Sequence, residues 1–188
     1  MTVDGYDSAA NLRAMQITYR KPAPEEAEAF AALHVQCWRE AYAEIIPREL
    51  IASFDASKRI GHWRNYIDDP SRIVIAAFDE GVPVGLVNAG HADETYFEGQ
   101  DGHIAALYVL ASHHKMGIGR RLVASVADLW LKRGGKTFAV GVLAENLRAR
   151  RFYEALGARF VKSGTYVWDG HALPDAIYVF EDLPSLIP

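Results

Sequence analysis

The chain has 188 residues, of which 50% are hydrophobic and 23% charged, and its formal net charge is −4. This composition suits one domain with a sizeable core, and the acidic balance excludes the basic footprint of a general nucleic-acid binder. The single cysteine, Cys37, excludes an intramolecular disulfide and a zinc site built on cysteines. With no apolar run near the roughly 20 residues of a bilayer span and no signal-peptide pattern, we expect a cytoplasmic protein without a membrane partner.

The first third of the chain is predicted to be mainly helical. Residues 1–14 are polar without a sustained period, which indicates a poorly ordered tail before one domain over 15–188. A short strand is predicted at 16–20. Apolar residues then recur at helical spacing after two prolines and an acidic turn, which predicts a helix that ends near Ala43. A second helical segment is predicted from about Lys58 to Tyr66.

The middle of the chain changes to the period of strands. Runs at 72–78 and 82–89 flank Gly81 and predict a β-hairpin. A polar loop should follow, and Ile104–Leu110 is then apolar on both faces, as a central strand would be. The next segment carries one apolar stripe and stops at Gly134-Gly135, which predicts an amphipathic helix.

The last third alternates strand and helix patterns. A strand is predicted at 136–143, a helix at 146–156, a strand at 159–168 and another at 176–180. Adjacent strand–helix units favour parallel pairing in the centre, whereas the hairpins favour antiparallel pairing. The predicted fold class is therefore α/β, with a mixed, mostly antiparallel sheet that has a parallel central pair and is flanked by helices.

A glycine-bearing loop joins the central strand to the amphipathic helix. At a helix start the first backbone N–H groups lack intrahelical partners, and the helix dipole is positive there. Gly117 and Gly119 have no side chains that would block an approaching anion. A glycine pair on such a turn is a weak signal alone, because any tight turn recruits glycine, but it makes this loop a candidate phosphate site.

Two segments, in this order, resemble the GNAT superfamily of acyl-CoA-dependent N-acetyltransferases. The first is Leu107-Tyr108-Val109 followed by the loop from His114 to Gly119, where His114 replaces the usual glutamine or arginine. The second runs from Asn146 to Gly157 and is similar to the family's Asn-x-x-Ala-x-x-Phe-Tyr helix. The resemblance implies a GNAT-like fold and acetyl-CoA as cosubstrate, without a metal. The cofactor-binding residues that it implies are Leu107, Tyr108, Val109, His114, Lys115, Met116, Gly117, Ile118, Gly119, Arg120, Asn146, Ala149 and Phe152.

The resemblance also implies catalytic roles. Tyr153 would donate a proton to the leaving thiolate, although its helical spacing alone favours a core aromatic residue. Many relatives carry a Gly-Glu pair where this chain has Gly102-His103, so His103 is our candidate general base. His91, Glu94 and a water relay remain rivals. The backbone N–H of Val109 is the candidate donor to the oxyanion.

The expected reaction is acetyl transfer to a primary amine of a small molecule or peptide by direct attack in a ternary complex. By analogy, the acceptor would lie near 38–47 and near Tyr166, Trp168 and His171, although these aromatics would equally pack on the sheet. A non-catalytic acyl-CoA-binding sensor is the alternative. A nucleotide-binding regulator is disfavoured because the loop lacks a Gly-Lys-Ser/Thr ending. The sequence does not fix the oligomeric state, and a homodimer is one assembly that it allows.

Overall fold

One seven-stranded sheet forms the centre of the molecule. In the computed structural model, which describes residues 16–188, the sheet has the order β1-β2-β3-β4-β5-β7-β6. Every neighbouring pair is antiparallel except β4 and β5, so the predicted mixed sheet with a parallel central pair is confirmed. The strands are β1 (Thr18–Arg20), β2 (Ile73–Asp79), β3 (Val82–His91), β4 (Gly102–Val109), β5 (Phe138–Leu143), β6 (Arg159–Trp168) and β7 (His171–Phe180).

Five helices flank this sheet. The sequence predicts all of them except α2, a six-residue helix after Pro47 that is too short to show a period. The predicted tail at 1–14 lies outside the described residues. The helices are α1 (Ala27–Tyr42), α2 (Arg48–Ser53), α3 (Ser57–Asp68), α4 (Ile118–Lys132) and α5 (Leu147–Ala155).

The helices cover both faces of the sheet. α4 and α5 pack on one face, where Leu122 and Tyr153 join the larger core cluster. α1 and α3 cover the other face, where Phe30 and Trp63 pack on β2 and β3. This double coverage explains why β2 and β3 are apolar on both faces, as strands buried between two helix layers are.

Two segments differ from the sequence-based expectation. β7 begins at His171, five residues before the predicted start. The prediction missed the first half of this strand because that half contains Pro174 and its sequence is typical of a turn. The loop 92–101, predicted as a polar connection, buries Phe97 against Ala139 and Ile177 on the same face as α1. A loop therefore covers the part of the sheet that α1 and α3 do not reach.

Candidate active site

The two parallel strands separate soon after they begin. Gly102 and His103 pair with the first residues of β5, and no further pairing between β4 and β5 occurs within 16–188. A cavity of about 920 Å³ opens beyond this point, lined by the ends of both strands, the glycine loop, α5 and the C-terminal end of α1. The predicted site residues that line it are Leu107, Tyr108, Val109, His114, Lys115, Gly117, Ile118, Gly119, Arg120, Asn146, Ala149, Phe152 and Tyr153.

The glycine loop turns sharply into α4. Lys115 and Gly117 have positive φ angles of 64° and 79°, and Gly117 is the N-cap of the helix. The first intrahelical bond runs from the N–H of Arg121 to the carbonyl of Gly117, which leaves the preceding N–H groups of the first turn without helical partners. A Cβ on Gly119 would lie 3.1 Å from the ring of Phe152, so glycine there lets α4 approach α5 closely.

Val109 directs its backbone polar groups into the gap between the strands. The N–H of Leu110 bonds to the carbonyl of Val84 on β3, and alternate residues of an antiparallel strand point to opposite sides. The backbone N–H and carbonyl of Val109 therefore point away from β3, towards the side where β5 has separated. Its carbonyl accepts a hydrogen bond of 2.8 Å from Nε2 of His114, which ties the glycine loop to the end of the strand.

Asn146 forms the N-cap of α5. Its side-chain oxygen accepts a hydrogen bond of 3.0 Å from the backbone N–H of Ala149, as the sequence predicts for a capping residue. The cap places Asn146 and Ala149 on the cavity wall. Burial raises the pKa of the Tyr42 phenol on the same wall, and hydrogen bonding to Tyr108 and Asn146 offsets part of this rise.

Tyr153 combines a core position with a place in the cavity. Its ring packs edge-on against Phe152 and Phe180, and only 6% of the residue is exposed. Burial raises the phenol pKa well above the ordinary value of about 10, so the group carries its proton at neutral pH. The position of Tyr153 is thus compatible with both sequence-based interpretations, a core aromatic residue and a proton donor.

A second tyrosine, Tyr42 at the end of α1, belongs to the segment 38–47 that the family resemblance predicts near the acceptor. Its phenol oxygen lies 3.5 Å from that of Tyr108 on β4, and both residues line the cavity. A charge on Tyr42 would also raise the pKa of Tyr153, which places the phenols in one cluster. From the sequence, the Trp38–Tyr42 spacing equally predicted packing of one helix face, and the Tyr42 phenol had no assigned role.

Cys37 also reaches the cavity wall, despite its distance along the chain from the glycine loop. Burial raises the pKa of the Cys37 thiol to about 12, and nearby Glu40 adds to this rise. A thiol that stays protonated is a poor nucleophile. The position of Cys37 therefore does not supply the reactive thiolate that an acyl-cysteine relay would need.

His103 lies at the start of β4 and is not among the residues that line the cavity. Its ring stacks on Phe97, with ring centroids 5.3 Å apart. Nδ1 lies 2.8 Å from the carbonyl oxygen of His91, and burial lowers the imidazole pKa. Met116, the other predicted residue outside the cavity wall, is exposed on the glycine loop.

No group of three or more histidine, cysteine, aspartate or glutamate residues within the described part of the chain could hold a metal ion. No helix over residues 16–188 is long and apolar enough to span a membrane.

The chain belongs to the acetyltransferase (GNAT) family, whose sequence profile matches residues 27–158. It is similar to the uncharacterized N-acetyltransferase YuaI of Bacillus subtilis, with 27% identity over 90% of this chain and 96% of that protein. It also resembles the uncharacterized N-acetyltransferase Rv2669 of Mycobacterium tuberculosis, with 27% identity over 83% of this chain and 97% of the relative. The protein is therefore an acetyltransferase by family.

Solved structures share the fold at lower sequence identity. PaiA N-acetyltransferase from Thermoplasma acidophilum, in complex with coenzyme A, aligns with a TM-score of 0.66 and 18% identity, over 86% of this chain and 98% of that one. YncA from Salmonella typhimurium, with acetyl-CoA, aligns with a TM-score of 0.68 and 18% identity, over 88% and 94% of the two chains. The predicted GNAT-like fold is confirmed.

Proposed function

We propose that the protein transfers the acetyl group of acetyl-CoA to a primary amine by direct attack in a ternary complex. The observation that carries this proposal is the gap between β4 and β5, which opens beside the glycine loop. A gap between two sheet strands admits a long, narrow ligand that hydrogen-bonds to both edges. The coenzyme A found in similarly folded acetyltransferases has such a shape.

The residues of the glycine loop fit a diphosphate. The unpaired N–H groups after Gly117 lie at the positive end of the α4 dipole, and the space beside the Cα of Gly117, where a Cβ would stand, is open. Lys115 and Arg120 on the cavity wall add positive charge. We assign the diphosphate to this turn and the pantetheine arm to the gap between Val109 and Asn146.

Attack on the thioester would place negative charge on its carbonyl oxygen. The backbone N–H of Val109 points into the gap and is the donor that we assign to this oxygen. Removing one such donor typically costs about 3 kcal/mol of transition-state stabilisation. Because the donor belongs to the backbone of a strand paired with β3, it needs no rearrangement during the reaction.

Tyr153 is the proposed general acid. Its phenol is protonated at neutral pH, because burial raises its pKa, and it lies on the cavity wall opposite β4. The departing thiolate of coenzyme A would accept this proton. Tyr153 would then need a new proton. We assign its delivery from the amine to the phenols of Tyr42 and Tyr108, which contact each other on the same cavity wall.

His103 is the proposed general base, acting through water because it lies outside the cavity wall. Its Nδ1 faces the carbonyl of His91 and must therefore carry the ring proton. Nε2 then keeps its lone pair. A lowered pKa keeps the imidazole neutral at pH 7, as a base that must accept a proton from an ammonium group requires.

The test is thiol release from acetyl-CoA with a panel of primary amines, together with calorimetry of coenzyme A binding. We expect coenzyme A to bind and at least one amine to accelerate thiol release above the rate of hydrolysis. Binding without acceleration by any amine would indicate an acyl-CoA sensor instead. The absence of binding by well-folded protein would overturn the whole proposal.

A further inference from the structure

Arg59, on α3, lies over two adjoining aromatic rings on the face of the sheet that α1 covers. Its guanidinium carbon lies 4.2 Å from the centroid of the Phe54 ring and 4.7 Å from that of Trp168. The side chain is half-buried, and this desolvation lowers its pKa. The two rings contact each other, so they form one aromatic surface against which the cation rests and leave its other side uncovered by them.

No carboxylate within residues 16–188 forms an ion pair or hydrogen bond with Arg59. Burial raises the pKa of the nearby phenols of Tyr166 and Tyr108, so they supply no negative charge at pH 7. Other arginines that are not fully exposed have acceptors: Arg72 has Asp69 and Asn88, and Arg150 has Tyr178 and the carbonyl of Ala144. Arg59 is thus a partly desolvated cation without a counter-charge.

A second unpartnered donor lies beside this cation. The indole N–H of Trp168, whose ring contacts Arg59, is buried and makes no hydrogen bond to any described residue. A buried donor without an acceptor costs about 1–3 kcal/mol. The Arg59 cation and the Trp168 N–H, both without acceptors among the described residues, are groups that an anion would pair with.

This site adjoins the proposed acetyl-transfer cavity. Trp168 and Phe54 pack on Trp38, which in turn packs edge-on against Tyr42 on the cavity wall. Tyr108 also belongs to both surroundings, because it lines the cavity and packs against the cluster that contains Trp38 and Phe54. A small molecule with its amine in the gap between the strands could therefore place a second group at Arg59.

We propose that Arg59 binds a carboxylate of the acceptor, so that the substrates are amines that carry a carboxylate, as amino acids do. Trp168 is only partly buried, and the exposed part of its ring favours an acceptor whose remaining body is apolar, whereas Trp38 and Phe54 are buried behind it. The inference rests on the proposed acetyl transfer and adds the chemical class of its acceptor. A carboxylate, rather than a phosphate, matches one cation, because Arg59 is the sole cation among residues 16–188 that stands over the rings of Phe54 and Trp168.

The test compares each of the twenty amino acids with its C-terminal amide, which keeps the amine and side chain but removes the negative charge. Thiol release is measured at saturating acetyl-CoA. We expect kcat/KM for the preferred amino acid to exceed that of its amide roughly 10- to 100-fold, the value of one charge-assisted hydrogen bond. Calorimetry with the coenzyme-loaded protein should detect binding of the amino acid and no binding of the amide. A peptide that ends in a free carboxylate distinguishes a peptide acceptor from a free amino acid.

Substitutions in α3 test the role of Arg59. Arg59→Gln should bring the ratio of kcat/KM for the acid to kcat/KM for the amide close to 1, whereas Arg59→Lys should keep part of that ratio. Arg64→Gln, at an exposed position of the same helix, is the matched control and should behave like the unaltered protein. Equal kcat/KM for acids and amides, or an unaltered preference in Arg59→Gln, overturns the inference while leaving acetyl transfer intact. If no amine at all accelerates thiol release, the proposed function itself has failed.

Discussion

Nδ1 of His103 lies 2.8 Å from the carbonyl oxygen of His91 on the neighbouring strand β3. A carbonyl oxygen can only accept, so this contact selects the tautomer that has its proton on Nδ1 and a free lone pair on Nε2. The stacked ring of Phe97 holds the imidazole in one orientation. The pair therefore holds a neutral imidazole whose Nε2 keeps its lone pair.

The first prediction concerns this imidazole and pH. His103→Gln keeps a side chain that can donate to the His91 carbonyl but removes the base, and we expect kcat to fall by about 10²- to 10⁴-fold at neutral pH. Burial lowers the pKa of His103, so the unaltered enzyme should keep its neutral base to a pH below about 6.5 and lose it as the pH falls further. The acid limb of kcat against pH should be absent from the variant.

The control is His91→Gln, which leaves the His91 carbonyl in place and removes only an exposed imidazole. We expect its kcat and pH profile to match those of the unaltered enzyme. A large loss in His91→Gln with no loss in His103→Gln would identify His91 as the base.

The second prediction separates the acid from the binding site. Tyr153→Phe removes one hydroxyl from a ring that Phe152 and Phe180 hold in place, so the cavity should keep its shape. We expect kcat to fall by about 10²- to 10⁴-fold and the dissociation constant of coenzyme A, measured by calorimetry, to stay the same. Because the phenol pKa is raised well above its ordinary value, Tyr153 should add no basic limb below pH 10.

Tyr178→Phe is the matched control for Tyr153→Phe. Tyr178 is also buried, and it hydrogen-bonds Arg150 and Glu154 away from the cavity. The control should lose about 1 kcal/mol of stability and keep its kcat. An unaltered kcat in Tyr153→Phe would show that another group protonates the thiolate.

The third prediction tests the turn into α4. Gly117 has a φ of +79°, and a residue with a Cβ is strained there by roughly 1–2 kcal/mol even though no atom stands within 4 Å. Gly117→Ala should therefore disturb the first-turn N–H groups and weaken coenzyme A binding about 5- to 30-fold by calorimetry. Gly134→Ala places the same strain, at φ +85°, beyond the other end of the helix.

We expect Gly134→Ala to lower the free energy of unfolding as much as Gly117→Ala does, but to leave coenzyme A affinity unaltered. Equal affinities in both variants would argue against a diphosphate at this turn.

Local patterns in the sequence predicted most of the fold. The bounds of α1, α4 and β6 follow from apolar periodicity and from prolines and glycines at their ends, which are local signals. The first half of β7 was missed because Pro174 and its polar neighbours acquire strand structure only by pairing with β5 and β6.

The candidate site was predictable only where it is continuous in the chain. The glycine loop and the start of α5 carry motifs, and the structure brings them to one cavity. Tyr42, Cys37 and Arg59 come from helices of the first third, and a tyrosine or arginine on a helix face has no local signature of a site. Their roles depend on packing between distant elements, such as the contact of Phe54 with Trp168.

The last prediction concerns the point where β4 and β5 meet. A Cβ on Gly102 would lie 2.7 Å from the ring of Trp130 and 2.8 Å from that of Phe138, and neither buried ring can move freely. Gly102→Ala should therefore lower the free energy of unfolding by about 1–3 kcal/mol, as overpacking does. Gly61→Ala, within α3 and with no atom within 4 Å, should instead raise it by up to about 1 kcal/mol.

Urea unfolding of both variants measures these changes. Gly102 and His103 are the residues of β4 that pair with β5, so their displacement should also alter the width of the gap and reduce kcat in the folded fraction. A Gly102→Ala variant with unaltered stability would show that the rings of Trp130 and Phe138 move aside. Full activity of this variant would show that the width of the gap does not depend on this contact.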